Sequence, residues 1–111
     1  MAQLPNSEHA VLDVRKIEGY CLSLIHPRWR HKARVFREAL GLSQNDAEWL
    51  KEVLLDGARQ GAAAEIGSDN FGRRWRVDVN VARHGRSAVV RTIWMMRSGE
   101  QIPRFVTCWV L

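Results

Sequence analysis

Arg74-Trp75-Arg76-Val77-Asp78-Val79-Asn80-Val81 alternates without a break, with Val77, Val79 and Val81 set against Arg76, Asp78 and Asn80. A period of two puts the valines on one face of a strand and the polar side chains on the other. Turn-forming residues flank it, Gly67-Ser68-Asp69-Asn70-Phe71-Gly72 before and Arg83-His84-Gly85-Arg86 after. Outward from these turns the pattern predicts a short strand over residues 62–66 and a longer one over 88–96. A turn at Ser98-Gly99-Glu100 then leads to a last strand over 104–111. The strand at 88–96 is apolar on both faces, Val90, Thr92, Trp94 and Met96 opposite Val89, Ile93 and Met95, which suits a central position. Arg91 interrupts it, either snorkelling to the sheet surface or reaching into a site.

Upstream of residue 62 the period is helical. Leu4-Pro5-Asn6 makes a rigid turn, Val11 and Leu12 a short extended piece, and Asp13 is a good N-cap for a helix over residues 13–22. Val14, Ile17, Cys21 and Leu24 would face its core, Arg15, Lys16 and Glu18 water, and Gly19 would let another backbone approach. A second helix begins at Arg28 or Trp29, after Pro27, and stops at Gly41, with Ala33, Phe36, Ala39 and Leu40 buried. Ser43 and Asp46 form an approximate capping box for a third, which runs through Trp49, Leu50, Val53, Leu54 and Ala58 and frays from Gly57. The expectation is therefore one α+β domain over residues 1–111, three N-terminal helices packed on one face of a roughly four-stranded antiparallel sheet.

The 111 residues carry a net charge of +5, unevenly spread. Up to Ile66 nine Lys and Arg balance nine acids, whereas from Gly67 onward eight Arg face three. A basic surface favours polyanions, nucleic acid foremost, through phosphate contacts and counterion release. No stretch approaches the roughly 18 apolar residues of a membrane span. Residues 1–10 also lack the basic start and apolar run of a secretory signal. The reading is cytoplasmic, with no membrane partner. Cys21 and Cys108 sit in apolar segments without CxxC spacing or a histidine pair, so reduced core thiols are expected, with neither metal nor other cofactor.

Chemistry concentrates in His26-Pro27-Arg28-Trp29-Arg30-His31-Lys32-Ala33-Arg34-Val35-Phe36-Arg37, which holds two of the four histidines and no acid. Arg30, Arg34 and Arg37 lie along one side of the second helix, Arg28 and Lys32 on a neighbouring side. A ribonuclease that works without metal needs a base for the 2′-hydroxyl, an acid for the departing oxygen, and cations for the phosphate. His26 and His31 fit the first two roles, Lys32 and Arg28 the third. Each also has a plain structural reading. His26 would bond a backbone group in the turn, His31 would be an exposed helical residue, and Trp29 would staple the helix entry to the core where the alternative is stacking on a base.

The Leu4-Pro5-Asn6 opening, the segment from His26-Pro27 through Lys32-Ala33 to Phe36, and the endings around Trp94 and Pro103-Arg104-Phe105-Val106-Thr107 resemble a family of small bacterial proteins of unknown function with an HPxGxxKAxxF motif. Trp29 stands where that motif has Gly. The family's members occur alone or as C-terminal modules of phage and polymorphic-toxin proteins, which implies a toxin-like effector. Helices followed by a four-stranded meander are also similar to the barnase, EndoU, colicin and RelE-like metal-independent ribonucleases. That resemblance makes His26, Lys32 and Thr107 candidates, with Arg104 beside them. The reading built on the residues together sets Lys32, Arg28 and Arg91 as a phosphate clamp and Thr107 as a hydroxyl that positions the phosphate. An acidic immunity or antitoxin partner would follow. Two other readings use the same residues: a non-catalytic basic module holding nucleic acid or an acidic protein, and a homo-oligomer pairing through the terminal strand.

Overall fold

The alternating stretch is the second strand of a four-stranded antiparallel sheet in the computed structural model, which describes residues 2–111; Met1 lies outside them. The strands are β1 (Ala63–Asp69), β2 (Gly72–Arg83), β3 (Arg86–Arg97) and β4 (Arg104–Val110), in spatial order β1-β2-β3-β4. Three helices precede them. The first, α1, is α-helical over Val14–Lys16 and π-helical over Ile17–Cys21, and is followed by α2 (Arg30–Leu40) and α3 (Ala47–Gln60). The expected α+β architecture is present, and β3 is central, paired with β2 on one side and β4 on the other.

Several boundaries moved, each for a local reason. The turn expected over residues 67–72 narrows to Asn70-Phe71, because Asp69 Oδ1 accepts the Phe71 N–H at 2.8 Å and Asp69 already pairs with Gly72. The added length of β1 was hidden by a bulge between Glu65 and Gly67, which breaks the period of two. Gly72 (φ 146°) lies against the backbone of β3, where a Cβ would come within 2.8 Å of Arg97 Cα. At the other end of β2 the hairpin turns through His84 (φ 55°) and Gly85 (φ 73°), two successive left-handed residues that match the twist of the flanking strands.

Trp75, Val77, Val79 and Val81 face the helices, joined by Val90, Thr92 and Trp94 from β3 and by Phe105 and Cys108 from β4, all buried. Against them pack Ile17 and Cys21 of α1, Ala33, Phe36 and Leu40 of α2, and Leu50, Leu54 and Ala58 of α3. Asp13 caps α1 through the Arg15 N–H, and Gly41 ends α2 in the left-handed region (φ 67°). Before α3, the Ser43 N–H donates to Asp46 Oδ2 at 2.9 Å.

Three helical expectations are corrected. Leu24 is 41% exposed and Leu22 takes its core position, because the Leu22 N–H bonds the Ile17 carbonyl, five residues back, at 2.8 Å. This wider turn shifts the buried face by about one residue. At Gly19 no backbone approaches, since a Cβ there would meet nothing within 4 Å. And α3 does not fray at Gly57. It continues to Gln60, and a Cβ at Gly57 would strike both γ-carbons of Val79, one at 2.7 Å, so this glycine lets α3 lie close on β2.

Val11 pairs in parallel with Arg104, and Lys16 Nζ donates to the Phe105 carbonyl at 2.9 Å, so the start of the β4 edge is covered from within the chain. Among the described residues no helix is long and apolar enough to cross a membrane.

Five carboxylates, Asp13, Glu65, Asp69, Asp78 and Glu100, lie below their ordinary range, each chiefly through hydrogen bonds from an arginine. Asp13 is lowered to about 2 by Arg15. A carboxyl depressed in the folded state stabilises the fold fully above its unfolded value and loses that contribution as pH falls through its folded value. The melting temperature is therefore expected to hold steady from pH 7 to about 5 and to fall progressively towards about pH 2. The fall should be modest, because these pairs face solvent. A melting temperature unchanged down to that acid limit would refute the contribution.

Candidate active site

Pro27 turns the chain at the entry to α2, and His26 closes that turn twice. Its carbonyl accepts the Arg30 N–H at 3.0 Å, and its ring Nδ1 accepts the N–H groups of Arg28 and Trp29 at 3.1 and 3.3 Å. An Nδ1 that accepts leaves the proton of the neutral imidazole on Nε2. The ring lies tilted against Tyr20, with centroids 4.9 Å apart. The backbone-bonding reading of His26 thus holds for one nitrogen and leaves the other for chemistry.

Tyr20 and Trp29 are walls of a pocket of about 250 Å³, completed by Lys16, Val106 and Thr107. Lys32, one helical turn beyond Trp29, places its ammonium 4.5 Å from the Trp29 ring and 4.5 Å from the Trp109 ring, a cation held between two indoles. Thr107 Oγ1 lies 3.8 Å from Cys21 Sγ. Both thiols are free and buried. A hydrogen bond from the Cys108 thiol is the largest of several influences lowering Cys21 to about 7, with Thr107 and the charge of Lys32 adding to it. Burial pushes Cys108 well up. Beside β4 an ammonium, a phenol, an indole and a hydroxyl thus line a small hollow, with the His26 imidazole against the phenol ring and the Lys32 ammonium against the indole.

Of the residues singled out in the sequence, Trp29 and Thr107 line this pocket, His26 and Lys32 pack on its walls Tyr20 and Trp29, and Arg28 is exposed beside His26. His31, Arg30 and Arg34 are exposed on α2, outside the pocket lining. Arg91 is engaged by Asp78, its partner across the β2–β3 register, through two hydrogen bonds of 2.9 and 3.0 Å. Arg104 is likewise held by Glu100 at 2.9 Å. Lys16, expected to face water, and Tyr20 line the pocket as well, their i, i+4 spacing placing them on one side of α1. Among the described residues no group of three or more His, Cys, Asp or Glu side chains could hold a metal ion.

Residues 3–111 match the family model described as the domain of unknown function DUF6883. Four chains of solved structures match the fold. One belongs to a contact-dependent growth inhibition toxin–immunity protein complex from Klebsiella pneumoniae 342. It aligns with a TM-score of 0.71 over 91% of this chain and 99% of that one, at 13% sequence identity. A likeness at that identity is one of fold. No curated protein matches the sequence.

Proposed function

For a chain that belongs to the DUF6883 family of domains of unknown function, we propose a toxin-like effector that cleaves RNA without metal, by transphosphorylation in the pocket beside β4. The observation that carries this reading is a hollow of about 250 Å³ lined by Lys16, Tyr20, Trp29 and Thr107, with the His26 ring packed on Tyr20 and the Lys32 ammonium on Trp29.

The 2′-oxygen attacks phosphorus and the bond to the 5′-oxygen breaks, giving a 2′,3′-cyclic phosphate and a 5′-hydroxyl. His26 delivers the proton to the departing 5′-oxygen from Nε2 as the imidazolium, the Arg28 and Trp29 N–H groups leaving Nδ1 when that nitrogen carries its own proton, so that a neutral ring is left after transfer. Lys16 and Lys32 stabilise the charge that builds on the phosphoryl oxygens, and the Thr107 hydroxyl donates to one of them. With one imidazole at the pocket, the 2′-proton passes to water in the open mouth. The α2 N-terminus beside His26 adds partial positive charge.

An acidic immunity protein that covers this face belongs to the same proposal. It is supported by the fold shared with a chain of a toxin–immunity complex and by the net charge of +5. One observation favours a second reading: among the described residues no histidine lines the pocket itself, His26 touching it through Tyr20 and His31 being exposed on α2, so no pair of imidazoles completes an acid–base couple there. On that reading the same surface binds nucleic acid, or an acidic protein, without cutting.

Purified protein incubated with total RNA in EDTA distinguishes them. Cleavage that leaves 2′,3′-cyclic phosphate ends is expected, and Lys32→Ala should slow it. Intact RNA would overturn the enzymatic reading, and salt-sensitive RNA binding in its place would establish the second.

A further inference from the structure

Two further hollows succeed the pocket at Thr107. Lys16 also lines a cavity of about 150 Å³ with Val11, Asp13, Arg97, Arg104 and Phe105. Arg97 in turn lines one of about 430 Å³ with Asn70, Phe71, Arg74, Met95 and Ser98. Lys16 and Arg97 each line two of these hollows, so the three follow one another around this end of the sheet as one line of concave surface. The register explains its course: Met95 pairs with Arg104 and Gly72 with Arg97, so the start of β4, the end of β3 and the β1–β2 hairpin meet at one end of the sheet. From Thr107 this path spans on the order of 15–20 Å, taking ~3.3 Å per strand residue and ~4.8 Å between strands.

The groove carries net positive charge. Its carboxylates Asp13, Asp69 and Glu100 are each bonded to an arginine, Arg15, Arg74 and Arg104. Lys16 and Arg97, the two linking residues, have no carboxylate partner among the described residues. At the far end Phe71 is 73% exposed, yet its turn is tied down. The Ser98 N–H donates to the Phe71 carbonyl at 2.9 Å, Ser98 Oγ to the Asn70 carbonyl at 2.9 Å, and the Phe71 N–H to Asp69 at 2.8 Å. An exposed aromatic ring on an anchored turn loses little freedom when a base stacks on it.

We propose that this groove holds single-stranded RNA running from the catalytic pocket to the hairpin tip, with Phe71 as a stacking platform for a base several nucleotides from the cleaved bond. This rests on the ribonuclease reading for its substrate, while Phe71 and Arg97, the residues its test changes, lie outside the catalytic set. Charge complementarity and continuity with the pocket select RNA as occupant. A paired duplex does not fit, since its bases are not free to stack on a ring.

The test uses uncleavable 2′-O-methyl oligouridine of about four and about twelve nucleotides, lengths that bracket a single-strand binding site, with affinity read by fluorescence anisotropy. Phe71→Ala should weaken the longer oligomer about tenfold and leave the shorter one unchanged, and Phe71→Trp should restore the loss. Arg97→Ala should weaken the longer oligomer and flatten its salt dependence by about one phosphate contact. Unchanged melting temperatures would show that the variants fold. If wild-type protein cleaves RNA but Phe71→Ala binds the longer oligomer normally, the groove is refuted and the ribonuclease reading stands. If the Phe71 effect appears without cleavage, the groove stands on a binding module. Binding of neither oligomer by the wild type overturns both.

Discussion

Trp94→Ala is expected to cost about 3–5 kcal/mol, the range for removing a large aromatic side chain from a close-packed core. Trp94 is fully buried on β3 and meets Phe105 edge to face, with centroids 5.5 Å apart. It also ends a buried hydrogen-bond chain: Trp94 Nε1 donates to Thr92 Oγ1 at 2.8 Å, and that hydroxyl donates to the Val77 carbonyl at 2.6 Å. Truncation would open a cavity and leave the Thr92 oxygen without its donor in a dry interior. Domains of this size are stable by only about 5–15 kcal/mol, so the variant should retain little margin. Urea denaturation should show a much lower midpoint at unchanged slope. A midpoint within error of the wild type would mean that this core relaxes around the loss.

His26→Ala should lower kcat/KM for RNA by about 10²–10⁴-fold, the usual contribution of a positioned proton donor, while His31→Ala should leave it unchanged. Because His26 Nδ1 also holds the turn into α2, the alanine variant removes two roles together. His26→Asn separates them. An amide oxygen can accept the same backbone N–H groups but cannot deliver a proton. It should melt close to the wild type and be as inactive as the alanine variant. Full activity in His26→Asn would reduce His26 to a residue of the turn, and a loss in His31→Ala equal to that at His26 would move the chemistry towards the exposed side of α2.

What could be read in the chain follows from which interactions are local. The valine alternation around Val79 and the spacing of Phe36 and Leu40 depend only on backbone period and burial, and the sheet and α2 follow them closely. Where a local irregularity intervenes, the pattern misleads. The bulge between Glu65 and Gly67 concealed the length of β1, and the π turn exchanged Leu24 for Leu22 in the core. Gly57 reads as a helix breaker until Val79 is seen filling the place of its side chain.

The site divides in the same way. Trp29 stands three residues from His26 on one side and three from Lys32 on the other, so its contact with Lys32 and the turn that His26 closes are properties of the segment itself. That Thr107 shares a pocket with Tyr20 and Lys16, and that Trp109 meets Lys32, follows from β4 lying along α1 and the start of α2. Composition alone determined that the chain is basic. Which cations remain uncommitted is tertiary: the β2–β3 register sets Asp78 opposite Arg91, the turn before β4 brings Glu100 to Arg104, and Lys16 and Arg97 are left without a carboxylate along the groove. Charges sum along a sequence, but pairing requires a few ångströms of separation, and at these positions only the folded backbone supplies it.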